Sequence, residues 1–450
     1  MTLRRVFIAN RGEIAVRIIR TCHKLGLISI LGASEADLNS TAAKLADEVV
    51  RIGPARSSES YLNIEAVIEA ALRAKADAIH PGYGFLSENA KFANAVRSRG
   101  LIFTGPTEAN LEAVGDKLKA RGHAEDAGLP LAPGGSISNP TDARALAAKI
   151  GFPLLVKAVG GGGGRGLKRI DAMSQLDATV DLAIAEANAA FGDPRVYLER
   201  FVASGRHVEA QIIGDGETVL DVGLRDCSVQ RRYQKLIEEA PAPGIPAAVE
   251  ARIRQAAVAF GRHLKYVGLG TVEFLYDRQR QEFYFLEMNA RIQVEHPVTE
   301  AISGLDLVEE QLALAEHGKL RLNQSDIRLR GHAIECRLNA EDWTRDFRPS
   351  PGTVTRALFP AGPGIRVDTH IENGASIPPF YDSLMAKIIV TGADRAEAVA
   401  RLLSAMRQIE IEGVATNRDL HIALLTNSDF AAGAVDTAYL AQFLEARAKP

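Results

Sequence analysis

Cysteine is scarce, with only Cys22, Cys227 and Cys336 in 450 residues. They are widely separated and form no C-x-x-C pair, which argues against a disulfide framework and against a thiolate zinc site. Reduced thiols in the core or near a site are expected instead. No run of about 18 apolar residues occurs, so no membrane-spanning helix is predicted. Excess charge of one sign is also missing: 53 Lys and Arg oppose 56 Asp and Glu, leaving a net −3. With no basic block, neither nucleic acid nor an anionic membrane is expected as the main partner. The Arg-rich start, MTLRRVFIANRGEIAVRI, has no apolar signal-peptide stretch, and the expected compartment is the cytoplasm.

The length predicts about three domains. Residues 1–106 alternate strand and helix patterns: VFIA, a helix with Ile14, Ile18, Ile19, Cys22 and Leu25 on one stripe, LISILGAS, a helix near 63–75, ADAIHP, a helix near 87–99, and LIFTGP. The pattern predicts a doubly wound parallel sheet with ligands at the carboxyl ends of its strands. Two such ends stand out, NRGEIA and HPGYGFLSENA (80–90). In the second, Gly82 and Gly84 let the backbone turn and present Tyr83 to the crevice, though a plain turn with a packing Tyr reads equally well.

A helix is expected over about 107–127, carrying GDK (115–117), followed by a linker, LAPGGSISNP. A small unit comes next: a helix after Asn139-Pro140, strand FPLLVKAV, the loop GGGGGRG (160–166), strand LKRI, a helix over about 174–190 and strand VYLERFV. The glycine loop joins two strands, which fits neither a Walker A loop nor a dinucleotide-binding turn. Five consecutive glycines are costly to order, so they read as a loop whose backbone N–H groups close over phosphates, or else as a flexible linker. Lys157 is then placed to reach the phosphates. Further on, a hairpin ends in Arg231, Arg232, Lys235, Glu238 and Glu239, a charge run that by itself reads as a solvated face.

Residues 287–296, EMNARIQVEH, carry the densest chemistry. Read as a strand, one face is Glu287, Asn289, Arg291, Gln293 and Glu295, and the other is Met288, Ala290, Ile292 and Val294. Two carboxylates, a guanidinium and two amides suit holding a cation and an anion together; a solvated strand face is the alternative. TVEFLYD (271–277) and EFYFLEMN (282–289) read as a hairpin. In one of its two registers Glu273 faces Glu287, an arrangement that repels unless a cation such as Mg²⁺ lies between them. After the helix DLVEEQLALAEHG, a strand-rich segment begins at RGHAIECRLNAED (330–342), and helices near 395–408 and 417–426 close the chain.

These motifs together closely resemble biotin carboxylase, of the ATP-grasp superfamily. The resemblance runs from ANRGEIA through HPGYGFLSENA, GDK, KAVGGGGGRG, RHVEAQ, RDCSVQRRYQKLIEEAPAPG, EMNARIQVEHPVTE, GHAIECRLNAED, YDSLMAK and EGVATN. It implies a mixed α/β and α+β multidomain fold. Residues 1–114 would form a Rossmann-like pre-ATP-grasp domain, 115–329 an ATP-grasp domain with a glycine-rich lid subdomain over about 132–202, and 330–450 a C-terminal biotin carboxylase domain. The implied reaction joins ATP, bicarbonate and Mg²⁺ (or Mn²⁺) to make carboxyphosphate and carboxylates N1′ of biotin on a carrier protein.

By matching position, the resemblance puts ATP against Lys117, Lys157, Gly162, Gly163, Gly164, Glu199, His207, Gln230 and Tyr233, and metal on Glu273, Glu287 and Asn289. It puts bicarbonate near Lys235, Arg291, Gln293, Val294 and Glu295, with Glu295 as general base. Biotin would lie by Tyr83 and Arg337, with Arg337 stabilising the biotin enolate; Arg291 and Lys235 complete the catalytic set. There are two departures. Tyr233 stands in QRRYQK where the family pattern has His, and NSTAAKLADE (39–48) replaces NSLHVRLADE. The expected partners are a biotin carboxyl carrier protein and a separate carboxyltransferase, and a homodimer is implied. Acetyl-CoA is the expected final acceptor, with propionyl-CoA, methylcrotonyl-CoA and pyruvate carboxylases as alternatives. A non-biotin ATP-grasp ligase fits RIQVEHPVTE poorly, and a catalytically dead subunit fits poorly with Lys235, Glu295 and Arg337 all present.

Overall fold

A computed structural model of the chain describes residues 2–160, 166–433 and 435–448. The expected phosphate-loop residues Gly162, Gly163 and Gly164 lie outside them.

Near the N-terminus, short apolar runs make a parallel five-stranded sheet in the order Glu48–Gly53, Ile28–Ser34, Arg5–Ile8, Ala78–His80, Ile102–Phe103. Val6, Phe7, Ile8, Ile30, Leu31 and Ile79 are fully buried, as a sheet covered by helices on both faces requires. Helix Gly12–Lys24 buries Ile14, Ile18, Ile19 and Cys22 of the expected stripe, while Leu25, the residue after its last turn, is exposed. The edge strand Glu48–Gly53 has no counterpart in the sequence reading, because only Ile52 of EVVRIG is buried and the alternation is weak. Strand order reverses between Arg5–Ile8 and Ala78–His80, the place where such sheets open a crevice. The loops after these strands meet there: Asn10 Nδ2 donates to the carbonyls of Pro81 (2.8 Å) and Tyr83 (2.7 Å). Gly82, at φ +62°, must be glycine, since a Cβ would approach Asn10 Nδ2 to 2.8 Å.

Residues 134–200 form a separate small layer. Antiparallel strands Gly134–Ile137, Val196–Arg200, Leu154–Ala158 and Leu167–Ile170 lie in that order, with helices Pro140–Ile150 and Met173–Phe191 supplying the rest of a small core. The largest sheet has eight strands in the order Glu282–Asn289, Val267–Asp277, Gly205–Asp215, Val219–Arg231, Gln234–Ala240, His332–Asn339, Leu384–Gly392, Ile365–Thr369. The position near 330 expected as a domain boundary falls between two paired strands of this sheet, Gln234–Ala240 and His332–Asn339.

Four sequence expectations are corrected. The expected linker LAPGGSISNP contains strand Gly134–Ile137, held by its pairing with Val196–Arg200. The helix expected over 107–127 is two helices, Glu108–Gly115 and Lys117–Asp126. Asp116 breaks it by capping the second, accepting from Leu118 N (2.9 Å) and Lys119 N (3.1 Å). The strand expected over 287–296 ends at Asn289, because the Ala290 N–H donates to Glu88 Oε1 (3.0 Å) instead of continuing the ladder. Residues 290–295 are irregular and lead into helix His296–Ser303, which has a proline in its first turn. Helices Arg395–Gln408 and Arg418–Leu425 do not close the chain, since Ser428–Ala431 and Tyr439–Ala448 follow. Among the described residues no helix is long and apolar enough to cross a membrane.

Helix Ala247–His263 packs on the large sheet through Phe260, whose ring meets Phe285 at 5.0 Å, while Phe274 meets Phe283 at 5.4 Å and Phe285 at 6.5 Å. All four rings are buried. Phe260→Ala should cost about 3–5 kcal/mol by lost burial plus an unfilled cavity. Urea denaturation followed by far-ultraviolet circular dichroism checks this; a loss below about 1 kcal/mol would mean that the aromatic cluster does not anchor the helix.

Candidate active site

A cavity of about 710 Å³ opens where the crevice of the parallel sheet, the small four-stranded layer and the large sheet meet. Every candidate site residue named from the sequence and lying among the described residues lines it.

One end is formed by the small layer and the helix that Asp116 caps. Lys117 is the first residue of helix Lys117–Asp126, so its ammonium and the positive end of the helix dipole both face the cavity. Burial pulls its pKa below the usual lysine value, against the attraction of Glu287. Lys157 and Glu199 sit on neighbouring strands and form an ion pair. Asp116 reaches back to Arg195 at 2.9 Å, tying the capped helix to the small layer. Gln230 is buried, and Tyr233 is half exposed at the tip of the hairpin between Val219–Arg231 and Gln234–Ala240. Arg231 pairs with Gln234, so Arg232 and Tyr233 make a two-residue turn with φ of +46° and +69°, the left-handed geometry that lets a tight hairpin match strand twist.

The middle holds the facing carboxylates. Glu273 and Glu287 are directly paired across the hairpin, and the ladder slips immediately afterwards, leaving Leu286 as an extra residue. Burial opposes charge on Glu273, but Lys235 and His207 outweigh it and hold that carboxyl well below the ordinary range. Glu287 moves the other way, raised by burial and then by the charge of Glu273. Glu273 Oε1 accepts from Asn289 Nδ2 (2.7 Å), Gln293 Nε2 (2.9 Å) and Lys235 Nζ (3.0 Å), and its Oε2 lies 2.8 Å from His207 Nε2. Two carboxylates split in this way, with an amide oxygen on Asn289, are a donor set suited to a hard divalent cation.

At the other end, Lys235 Nζ donates to Glu209 (2.6 Å), Glu273 (3.0 Å) and Glu295 (2.6 Å). Glu295 is also gripped from its second oxygen by Arg337 Nη2 at 2.9 Å, while Arg337 Nε donates to Glu238 at 2.6 Å. Burial resists charge on Glu295, yet Lys235, Arg337 and Arg225 hold its pKa well below the usual carboxylate value. This corrects the reading of 231–239 as a solvated face: Lys235, Glu238 and Glu239 are all buried or nearly so, and only the tip is exposed. A ladder slip between the pairs Val229–Ile237 and Gln230–Lys235 puts an extra residue into the strand, so Lys235 and Glu238 reach the same site despite an odd separation.

Several residues hold this constellation in place without having been singled out. Glu88 takes Arg291 Nε at 2.8 Å, and Arg291 also donates to Asn289 Oδ1 (2.8 Å) and the Ile292 carbonyl (3.2 Å). Among the described residues, three of the five guanidinium N–H groups are thus committed, leaving two for an anion. Arg225 is completely buried and donates to Glu209, Gln211, Thr299, Thr271 and Gln293. The Gln293 side chain is consequently engaged at both ends, by Arg225 and Glu273. Lys387 pins the Val294 carbonyl at 2.9 Å and lies 3.1 Å from Glu13, whose other oxygen accepts from the Tyr83 hydroxyl. The Arg337 carbonyl is held by Asn417 Nδ2 (3.0 Å) and His421 Nε2 (2.8 Å).

Residues 2–111 match the family described as biotin carboxylase, N-terminal domain; residues 116–323 match carbamoyl-phosphate synthase L chain, ATP binding domain; residues 335–442 match biotin carboxylase C-terminal domain. A biotin carboxylase of Pseudomonas aeruginosa is 48% identical over 446 residues, covering 97% of this chain and 98% of that one. The chain belongs to the biotin carboxylase family. A crystal structure of a biotin carboxylase–β-γ-ATP complex from Campylobacter jejuni superposes with a TM-score of 0.94 at 43% identity, covering 98% and 99% of the two chains. The biotin carboxylase domain dimer of the Hydrogenobacter thermophilus 2-oxoglutarate carboxylase, with MgADP, ADP and bicarbonate, gives 0.93 at 41%, covering 98% of each. Four supporting residues fall inside motifs that carried the biotin carboxylase resemblance, Glu88 in HPGYGFLSENA, Arg225 in RDCSVQ, Lys387 in YDSLMAK and Asn417 in EGVATN, whereas Thr271 and His421 lie outside them. Motif membership was the available signal, but their partners lie far away in sequence, as Glu88 and Arg291 at 203 residues show.

Burial, opposed by Arg337 and reinforced by Glu295, pushes the Glu238 carboxyl up to about 7. Its folded value then exceeds the unfolded 4.5, so the proton is held more tightly in the folded protein. That contribution to stability is complete below pH 4.5 and is lost as the pH rises through about 7. Glu238→Gln removes this titration, so the thermal midpoint of the variant should gain on that of the wild type between pH 5 and 8. A difference between the two proteins that stays constant over this range would show that Glu238 does not titrate there.

Proposed function

We propose that this member of the biotin carboxylase family performs the first half-reaction of a biotin-dependent carboxylase. ATP and bicarbonate give carboxyphosphate, and the carboxyl group passes to N1′ of biotin on a carrier protein. The observation that carries this reading is Glu295 held between Lys235 and Arg337 in the cavity that also contains the Glu273–Glu287 pair and the lysines of the phosphate end.

In this reading 1–114, 115–329 and 330–450 act as three domains, with about 132–202 closing over the nucleotide. Lys117, Lys157 and the glycines at 162–164 take the phosphates, while Glu199, His207, Gln230 and Tyr233 border the nucleoside. Glu273, Glu287 and Asn289 would hold Mg²⁺ or Mn²⁺, which neutralises phosphate charge when bound. The fit rests on the split pair: Glu287 is raised partly because Glu273 faces it, and a divalent cation would relieve that repulsion.

Bicarbonate enters against Arg291, Lys235 and the backbone at Gln293 and Val294. Glu295 starts as a poor base, because Lys235, Arg337 and Arg225 hold it ionised. An anion that draws Lys235 and Arg291 toward itself weakens that hold, so Glu295 gains proton affinity as its substrate arrives. It then removes the bicarbonate proton while a bicarbonate oxygen attacks the terminal phosphorus and ADP leaves, giving carboxyphosphate. As carboxyphosphate breaks down to CO₂ and phosphate, the phosphate takes the N1′ proton and N1′ attacks the CO₂; Arg337, freed from Glu295, faces the biotin oxygen on which negative charge develops, and Tyr83 borders the ring.

A carrier protein and a separate carboxyltransferase would complete the system, and a homodimer is proposed by analogy with the H. thermophilus domain dimer. Acetyl-CoA is the favoured final acceptor. A 2-oxo acid is the second reading, because one of the similar structures belongs to a 2-oxoglutarate carboxylase.

Glu287→Gln should raise the Mg²⁺ concentration needed for half-maximal ATP cleavage by on the order of 10–100-fold. An unchanged Mg²⁺ titration would remove Glu287 from the metal site. Glu295→Gln should reduce bicarbonate-dependent ATP cleavage by ~10²–10⁴-fold, whereas Arg337→Ala should retain more of that cleavage and lose mainly carboxybiotin. Phosphate release and carboxybiotin are measured in parallel; proportional loss of both outputs in both variants would overturn this division of roles.

A further inference from the structure

Outside the large cavity, two helices end side by side at the surface. Helix Lys117–Asp126 finishes with His123 and Asp126 one turn apart, and helix Ala247–His263 finishes with His263 itself. His123 Nδ1 and His263 Nε2 are 3.2 Å apart, with ring centroids 5.4 Å apart and planes tilted by 56°. A carboxylate oxygen of Asp126 joins them in a set whose members all lie within 4.8 Å of one another. His123 is half-buried, and Asp126 and His263 are exposed.

Two imidazole nitrogens meet at this distance either through one shared proton or around one cation. The shared proton accounts for the pair alone. A cation accounts for three features together. Two nitrogens bound at about 2.0–2.1 Å to a tetrahedral ion stand about 3.3 Å apart. An oxygen ligand from Asp126 is within reach of both. Both helices present their C-terminal ends here, so the negative ends of two dipoles converge on the spot.

We propose that His123, Asp126 and His263 form a binding site for a borderline transition-metal ion such as Zn²⁺, with water completing a four-coordinate shell. Two nitrogens and one oxygen suit that class and disfavour Mg²⁺, which demands oxygen ligands, so the site is chemically distinct from the carboxylates of the cavity. Its place in the fold gives it a consequence. The helix that presents Lys117 to the cavity at its first residue would be clamped at its last turn to the long helix packed on the large sheet.

The test is titration of the chelator-stripped full chain with Co²⁺ in excess Mg²⁺, read by visible absorption. The wild type should take up one equivalent with the intense band of tetrahedral Co²⁺, which Zn²⁺ abolishes. His123→Ala combined with His263→Ala should lose that band while keeping Mg²⁺-dependent ATP cleavage, and Asp126→Asn should weaken Co²⁺ binding at least tenfold. Should the double variant not fold, His263→Gln alone is read in the same way. Absence of a tetrahedral band in the wild type, or an equal band in the histidine variants, would overturn the proposal.

Discussion

The ammonium of Lys235, with three carboxylates around it, is the interaction on which the rest of the site depends. Glu209 and Glu273 come from adjacent strands of the large sheet, Glu295 from the turn before helix His296–Ser303, and Lys235 from the strand after the hairpin tip. Without the cation these buried acids would repel one another and pull the elements apart. The network adds little net stability to the fold, because desolvating four charges offsets most of their attraction. Its effect is specific: removing one member leaves the others buried and uncompensated, typically at about 3–5 kcal/mol.

Around that centre the fold spends its longest-range contacts on orientation. Glu88 lies in the crevice loop of the parallel sheet, yet it stops the strand at Asn289 and turns Arg291. Arg225 joins strand Val267–Asp277, through Thr271, and the irregular segment, through Gln293, to the helix that follows Glu295. Asn417 and His421 fix the Arg337 backbone from the C-terminal helices. Because strand His332–Asn339 pairs directly with Gln234–Ala240 in the sheet that also carries Glu209 and Glu273, the position of Arg337 relative to Lys235 is set by backbone hydrogen bonding.

Charges of the site are paired with one another: Glu295 with Lys235 and Arg337, Glu273 with Lys235 and His207, Lys157 with Glu199. In the proposed reaction each substrate therefore exchanges partners with the site instead of filling unmet charge. Such exchange favours discrimination over raw affinity, since a molecule unable to replace every broken pair leaves a buried ion alone. It also links the two ends of the cavity, because Glu273 and Glu295 share Lys235.

Composition, alternation and motif spacing were enough to place the parallel sheet, the hairpin with Glu273 and Glu287, the two-strand setting of the glycine loop and the polar run from Glu287 to Glu295. These are local properties: apolar period, turn residues and the order of charged groups along the chain are all readable in one dimension. The same locality explains the misses. The edge strand Glu48–Gly53 buries too little to show alternation, the helix over 107–127 is broken by a single capping side chain, and 290–295 leaves the sheet because of a glutamate 202 residues away. The inward turn of Lys235 and Glu238 came from a ladder slip that only the paired strand imposes. Residue types and their neighbours in sequence thus determined which chemistry was available. Only the tertiary structure decided which charges were buried together, because burial and long-range pairing set the dielectric and the partners on which a charged group depends.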